Sequence, residues 1–115
     1  MKNLVLVLSL LLSTSVFADG QPASGEGALV YKSVTYIGKS VIIEDPALLL
    51  SNGIKASVHY DGGKGFCTSL GYSFVTSTYT TVYGVIAKFS DDGSVYSIGR
   101  LETQYVLAYL TCAKN

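Results

Sequence analysis

With 115 residues, eight basic and eight acidic side chains and a formal net charge of zero, the chain has room for one domain. It carries no basic surplus to hold nucleic acid or an anionic membrane. Charged residues make up only 14% of it, against ~25% in an ordinary soluble domain, so Ser, Thr, Gly and nine Tyr must supply much of the polar surface.

The N-terminus has the order of a secretory signal peptide over residues 1–18. Lys2 is the positive lead, residues 4–12 form an almost unbroken apolar run, and Val16-Phe17-Ala18 offers small residues to a signal peptidase. The run falls short of the ~20 residues that a spanning helix needs, so release is expected without stable membrane insertion. The expected location is secreted or periplasmic, with the exported chain starting at Asp19. Losing Lys2 with the leader leaves seven basic against eight acidic residues.

Residues 19–27 contain Gly, Ser and Pro without periodicity and read as a flexible N-terminal arm. A single α+β domain is expected over residues 28–115. Residues 29–37 are rich in Val, Tyr and Thr, and Gly38-Lys39 suits a tight turn into residues 40–44, predicting a β-hairpin. Asp45-Pro46 resembles a helix N-cap with proline at the first helical position, so Leu48, Leu49 and Leu50 are expected in one or two helical turns closed by Asn52-Gly53. Residues 54–61 alternate, with Ile54, Ala56, Val58 and Tyr60 inward and Lys55, Ser57, His59 and Asp61 on the wet side of a strand.

Gly62, Gly63, Lys64 and Gly65 predict a mobile loop, a candidate binding loop, ahead of a short helix that turns Phe66, Cys67 and Leu70 inward. Gly71 would cap that helix in the left-handed conformation. A long β-prone stretch over residues 73–89 should bend near Gly84, and Asp91-Asp92-Gly93 should turn the chain into a return strand over residues 94–99. Residues 103–112 are apolar on both faces, which predicts a central strand.

In an oxidising compartment the lone pair Cys67 and Cys112 is most simply a disulfide, worth ~4 kcal/mol in the chain-entropy model. A metal site would need two further soft or imidazole ligands, and His59 is the single histidine. No metal and no cofactor is expected. His59 with Cys67 would suit a thiol hydrolase, but no third orienting residue is evident. The glycine run lacks the spacing of a phosphate loop, and Asp91-Asp92 lacks that of a calcium loop. The segment Phe66-Cys67-Thr68-Ser69-Leu70-Gly71-Tyr72 resembles the Cys-x-x-Leu-Gly helix of scavenger-receptor cysteine-rich domains over these positions alone. The chain lacks that family's tryptophan and further cysteines, so the resemblance implies only a shared way of ending a disulfide-tethered helix.

The expected fold is a small antiparallel β-sheet with one or two short helices on one face. If Cys112 faces the helix, a two-residue period puts Val106, Ala108 and Leu110 beside it and Tyr105, Leu107 and Tyr109 opposite. With Tyr79 and Tyr83 these could form an aromatic binding face for a protein or glycan ligand; alternatively, a second sheet buries them. The expected function is that of an exported non-catalytic binding protein, with an inhibitor that blocks a partner enzyme as the alternative and a thiol hydrolase behind both.

Overall fold

The computed structural model describes residues 27–115 and one two-residue strand, β1 (Ser15–Val16). The predicted leader apart from β1, and the predicted arm up to residue 26, lie outside the described residues. Two sheets face each other across one core. The first has the order β1, β2 (Gly27–Tyr31), β5 (Ala47–Leu50), β6 (Lys55–Val58), β8 (Ile86–Phe89), β9 (Val95–Ile98). The second has the order β3 (Ser33–Ile37), β4 (Ser40–Glu44), β10 (Glu102–Lys114), β7 (Tyr72–Gly84). Among the described residues one short helix, α1 (Gly63–Ser69), follows a single 3-10 turn, Tyr60–Gly62.

The predicted hairpin exists but is longer and bent. Val30 pairs with Ala47 in the first sheet and Ser33 with Glu44 in the second, so the register runs unbroken through the bend. Asp45 sits at φ 54, in the left-handed region, and Pro46 has no N–H to offer a ladder. Together they let the chain change sheets without an insertion. The backbone N–H of Lys32 donates to Glu44 (2.9 Å) and that of Asp45 to Ala108 (2.8 Å), so the corner keeps its hydrogen bonds.

This corner overturns the helix expected after Asp45-Pro46. Residues 47–50 are strand β5, paired on both sides, with Ala47 and Leu48 fully buried. A short apolar run has no period to separate a buried strand from a helix, and tertiary pairing decides it. The expected single antiparallel sheet is likewise corrected. The described residues form two sheets, and β6 and β8 run parallel, because the chain between them crosses through α1 and β7.

Ala56 and Val58 point into the core as the alternation requires. His59 does not stay on the wet side. Its residue is 8% exposed, its backbone bridges Val106, and its N–H donates to the carbonyl of Ala87 (2.9 Å). At this point the chain leaves β6, and the two sheets are tied together.

Residues 62–65 do not form a loop. Gly62 ends the 3-10 turn, Gly63 to Gly65 open α1, and all three glycines are buried, leaving Lys64 exposed. Phe66 and Cys67 lie fully inside, and the Phe66 ring meets that of Phe89 at 5.7 Å between centroids. The helix ends at Gly71, whose φ of 80 suits a residue without Cβ. Cys67 is bonded to Cys112, stapling α1 to β10 as expected.

Beyond the predicted bend at residues 84–85, β8 and β9 close around the expected turn at Asp91-Asp92-Gly93. The Asp92 carboxylate accepts from the Ser94 N–H (2.9 Å), from the Ser90 hydroxyl (2.7 Å) and from the Ser94 hydroxyl. These bonds, led by those from Ser94, lower its pKa from 3.8 to about 2 although the group is exposed. A pKa depressed in the folded state means the bonds stabilise fully above the unfolded value of 3.8 and are lost as pH falls through about 2. A carboxyl-carbon NMR titration should therefore give Asp92 a midpoint near 2, with the turn loosening below it. A midpoint at 3.8 would mean that the turn network does not form.

Candidate functional site

The central position expected for the last strand is correct, since β10 lies between β4 and β7. The faces of β10 differ from the two-residue period. Leu107 pairs with Tyr79 and Tyr109 with Thr78, so Ala108 is an extra residue with no counterpart on β7, a β-bulge. A bulge reverses the alternation beyond it. Leu107 consequently shares its face with Leu110 and Cys112, and is 1% exposed in the core. Tyr105 and Tyr109 lie on opposite faces.

On the inner face of the β7–β10 pair the side chains of Tyr79, Tyr83 and Tyr105 are exposed. Tyr83 stands opposite Thr103, Tyr105 opposite Thr81, and Tyr79 opposite Leu107. Cross-strand partners share a face, which gives a checkerboard in which Tyr105 lies between Tyr79 and Tyr83, diagonal neighbours on a sheet being roughly 7 Å apart. The three tyrosines are 56%, 70% and 59% exposed for Tyr79, Tyr83 and Tyr105. Tyr60, from the 3-10 turn, meets the Tyr79 ring edge-on at 5.8 Å between centroids and extends the patch toward α1. Three of the predicted face residues are thus brought together in the open; Leu107 shares their face but is buried, and Tyr109 lies on the other face.

Tyr109 belongs to the outer face, next to Thr78 and Glu44. It lines a shallow groove there with Lys32, Asp45, Thr80 and Val106. At the far end of β10 the hydroxyl of Tyr36 is pushed above its ordinary value, by burial first and then by Tyr72 and Tyr31. Lys114 lies 4.8 Å above the Tyr36 ring, so this second cluster is engaged in its own packing.

The Nδ1 of His59 donates to the Asp61 carboxylate at 2.7 Å, the arrangement of a base with its orienting acid. The thiol that would have completed it is bonded elsewhere, in Cys67–Cys112. Among the described residues no three His, Cys, Asp or Glu side chains gather around a point where a metal could bind. Of the predicted loop only Lys64 reaches solvent, 3.8 Å from Asp91. Among the described residues no helix is long and apolar enough to cross a membrane.

Sequence reasoning missed Tyr60, which the strand alternation placed inward. Its true place depends on the chain leaving β6 at His59, and no local signal marks that exit. Comparison with protein-family models, with curated proteins and with solved structures finds no match to this chain.

Proposed function

We propose that the chain is an exported, non-catalytic binding module whose contact surface is formed by Tyr79, Tyr83 and Tyr105, with Tyr60 at its margin, and whose ligand is a neutral glycan. What carries the reading is the exposure of three tyrosines on adjacent strands, each of the outer two rows pairing a ring with a threonine hydroxyl. A sugar ring offers C–H faces that stack on an aromatic plane and hydroxyls that bond to a neighbouring side chain. Tyr83 beside Thr103 and Tyr105 beside Thr81 supply both at once. The patch has no charged member, so a neutral ligand loses no solvation to an unmatched charge.

Tyr83→Ser combined with Tyr105→Ser tests this. Because both rings are exposed, stability should change by only ~0.5 kcal/mol for each, while retention on neutral polysaccharides in affinity electrophoresis should be lost. Retention equal to that of the unaltered chain, or no retention of the unaltered chain on cellulose, α-glucan or chitin derivatives, would overturn the glycan reading.

A further inference from the structure

We infer that the outer edge of β7 pairs, antiparallel, with the same edge of a second copy of this chain, giving a two-fold dimer with one continuous eight-stranded sheet. β7 has thirteen residues and is hydrogen-bonded on one side to β10; among the described residues no strand lies on its other side. A free edge of this length presents a row of unpaired N–H and C=O groups, and proteins ordinarily blunt such edges with lysine, proline, shortness or a bulge.

β7 has almost none of these. It contains no proline, and no charged residue occurs between Lys64 and Lys88. Its single irregularity is the register shift at Val75, which confines the regular edge to residues 76–84. The other edge of the same sheet is built differently. β3 has five residues and lies between Lys32 and Lys39.

A second copy fits this edge for two reasons. Antiparallel pairing of a strand with itself is satisfied by a two-fold axis, so one surface supplies both halves of the contact. The side chains it would bring together are Thr76, Thr78, Thr80 and Val82 on one face and Ser77, Tyr79, Thr81 and Tyr83 on the other. Cross-strand pairs of threonine with threonine or with an aromatic ring are favourable, and there is no like charge to repel. Pairing also closes the assembly, because the dimer's sheet would end on β3 at both sides. Nine residues at ~3.3 Å give a seam roughly 30 Å long and about 5 Å wide, one strand spacing, so the contact stays well below the ~800 Å² per partner of a standard interface and the dimer should form in the micromolar range or weaker. This inference rests on the backbone edge of β7 and needs no ligand at the tyrosines, although Tyr79 and Tyr83 project from the same strand.

Sedimentation equilibrium of the exported chain from about 10 μM to about 1 mM should show the mass rising to that of two chains and no further. Thr78→Lys with Thr80→Lys places four cations along the seam and should weaken association at least about tenfold. Hydrogen exchange of the unaltered chain gives an independent reading. Those amides of residues 76–84 that β10 does not hold should exchange fast in dilute solution and slowly in concentrated solution. A mass that stays at one chain up to about 1 mM, growth beyond two chains, an unchanged midpoint in the folded lysine variant, or β7 protection independent of concentration would each overturn the inference.

Discussion

Cys112→Ser should lower the stability of the domain by ~2 to 5 kcal/mol, read as a lower urea midpoint together with a steeper slope, because the unfolded chain without its cross-link is less compact. The bond closes a separation of 45 residues, and both sulfurs are fully buried. More than loop entropy is involved. α1 has seven residues, far too few to persist as an isolated helix, so its position depends on tethers. Three are evident: the Cys67 sulfur, the Phe66 ring in the core, and the close seating of Gly65. Removing the covalent one leaves the other two to hold α1 against both β8 and β10. Cys67→Ala with Cys112→Ala should cost about as much as either single change, since one bond is lost in each case. A cost under ~1 kcal/mol would mean that the bridge contributes little to holding the helix.

Gly65→Ala should destabilise by ~1 to 3 kcal/mol or more, although alanine is the better helix former by ~1 kcal/mol. A Cβ on Gly65 would stand 2.1 Å from the Ser90 carbonyl oxygen and 3.0 Å from Cβ of Phe89. The first of these is backbone and has no rotamer to give. Ser90 is also fixed by its own bonds, donating to Ser94 and accepting from Gly93, both at 2.9 Å. The helix itself would have to lift from β8, and Phe66 and Cys67 would move with it. Lys64→Ala, one position away on the exposed side, should change stability by less than ~0.5 kcal/mol. A Gly65→Ala chain at least as stable as the original would show that α1 does not seat against Ser90.

What the sequence discloses and what it hides divide along physical lines. Ala56 and Val58 were legible because one face of β6 is buried and period-two alternation survives there. The cap at Gly71, the turn at Asp91-Asp92-Gly93 and the Cys67–Cys112 bond were legible because each depends on a few local residues or on a single possible partner. Leu48 to Leu50 misled, since Asp45-Pro46 begins a helix and turns a sheet corner equally well, and pairing with β2 and β6 decides which. The glycines at 62, 63 and 65 read as freedom, yet they are small because Val58, Leu110 and Ser90 approach them. The tyrosine face was half legible. Tyr79, Tyr83 and Tyr105 come together, but Leu107 on the same face is buried in the core, and the bulge at Ala108 sends Tyr109 to the other side. A bulge has no residue signature here that would separate Ala108 from any other strand residue.

The claim on which the functional proposal turns is that Tyr79, Tyr83 and Tyr105 form one open surface that takes a neutral sugar. Aromatic-carbon NMR of the tyrosine rings, titrated with soluble cello-, malto- and chito-oligosaccharides, addresses it directly. The expected result is that one of these shifts the ring signals of Tyr79, Tyr83 and Tyr105 together, with smaller changes at Tyr60, while Tyr31, Tyr36 and Tyr72 at the far end of the sheet stay still. Shifts confined to Tyr109 and the outer face, or rings that do not respond to any of the sugars at millimolar concentration, would contradict it.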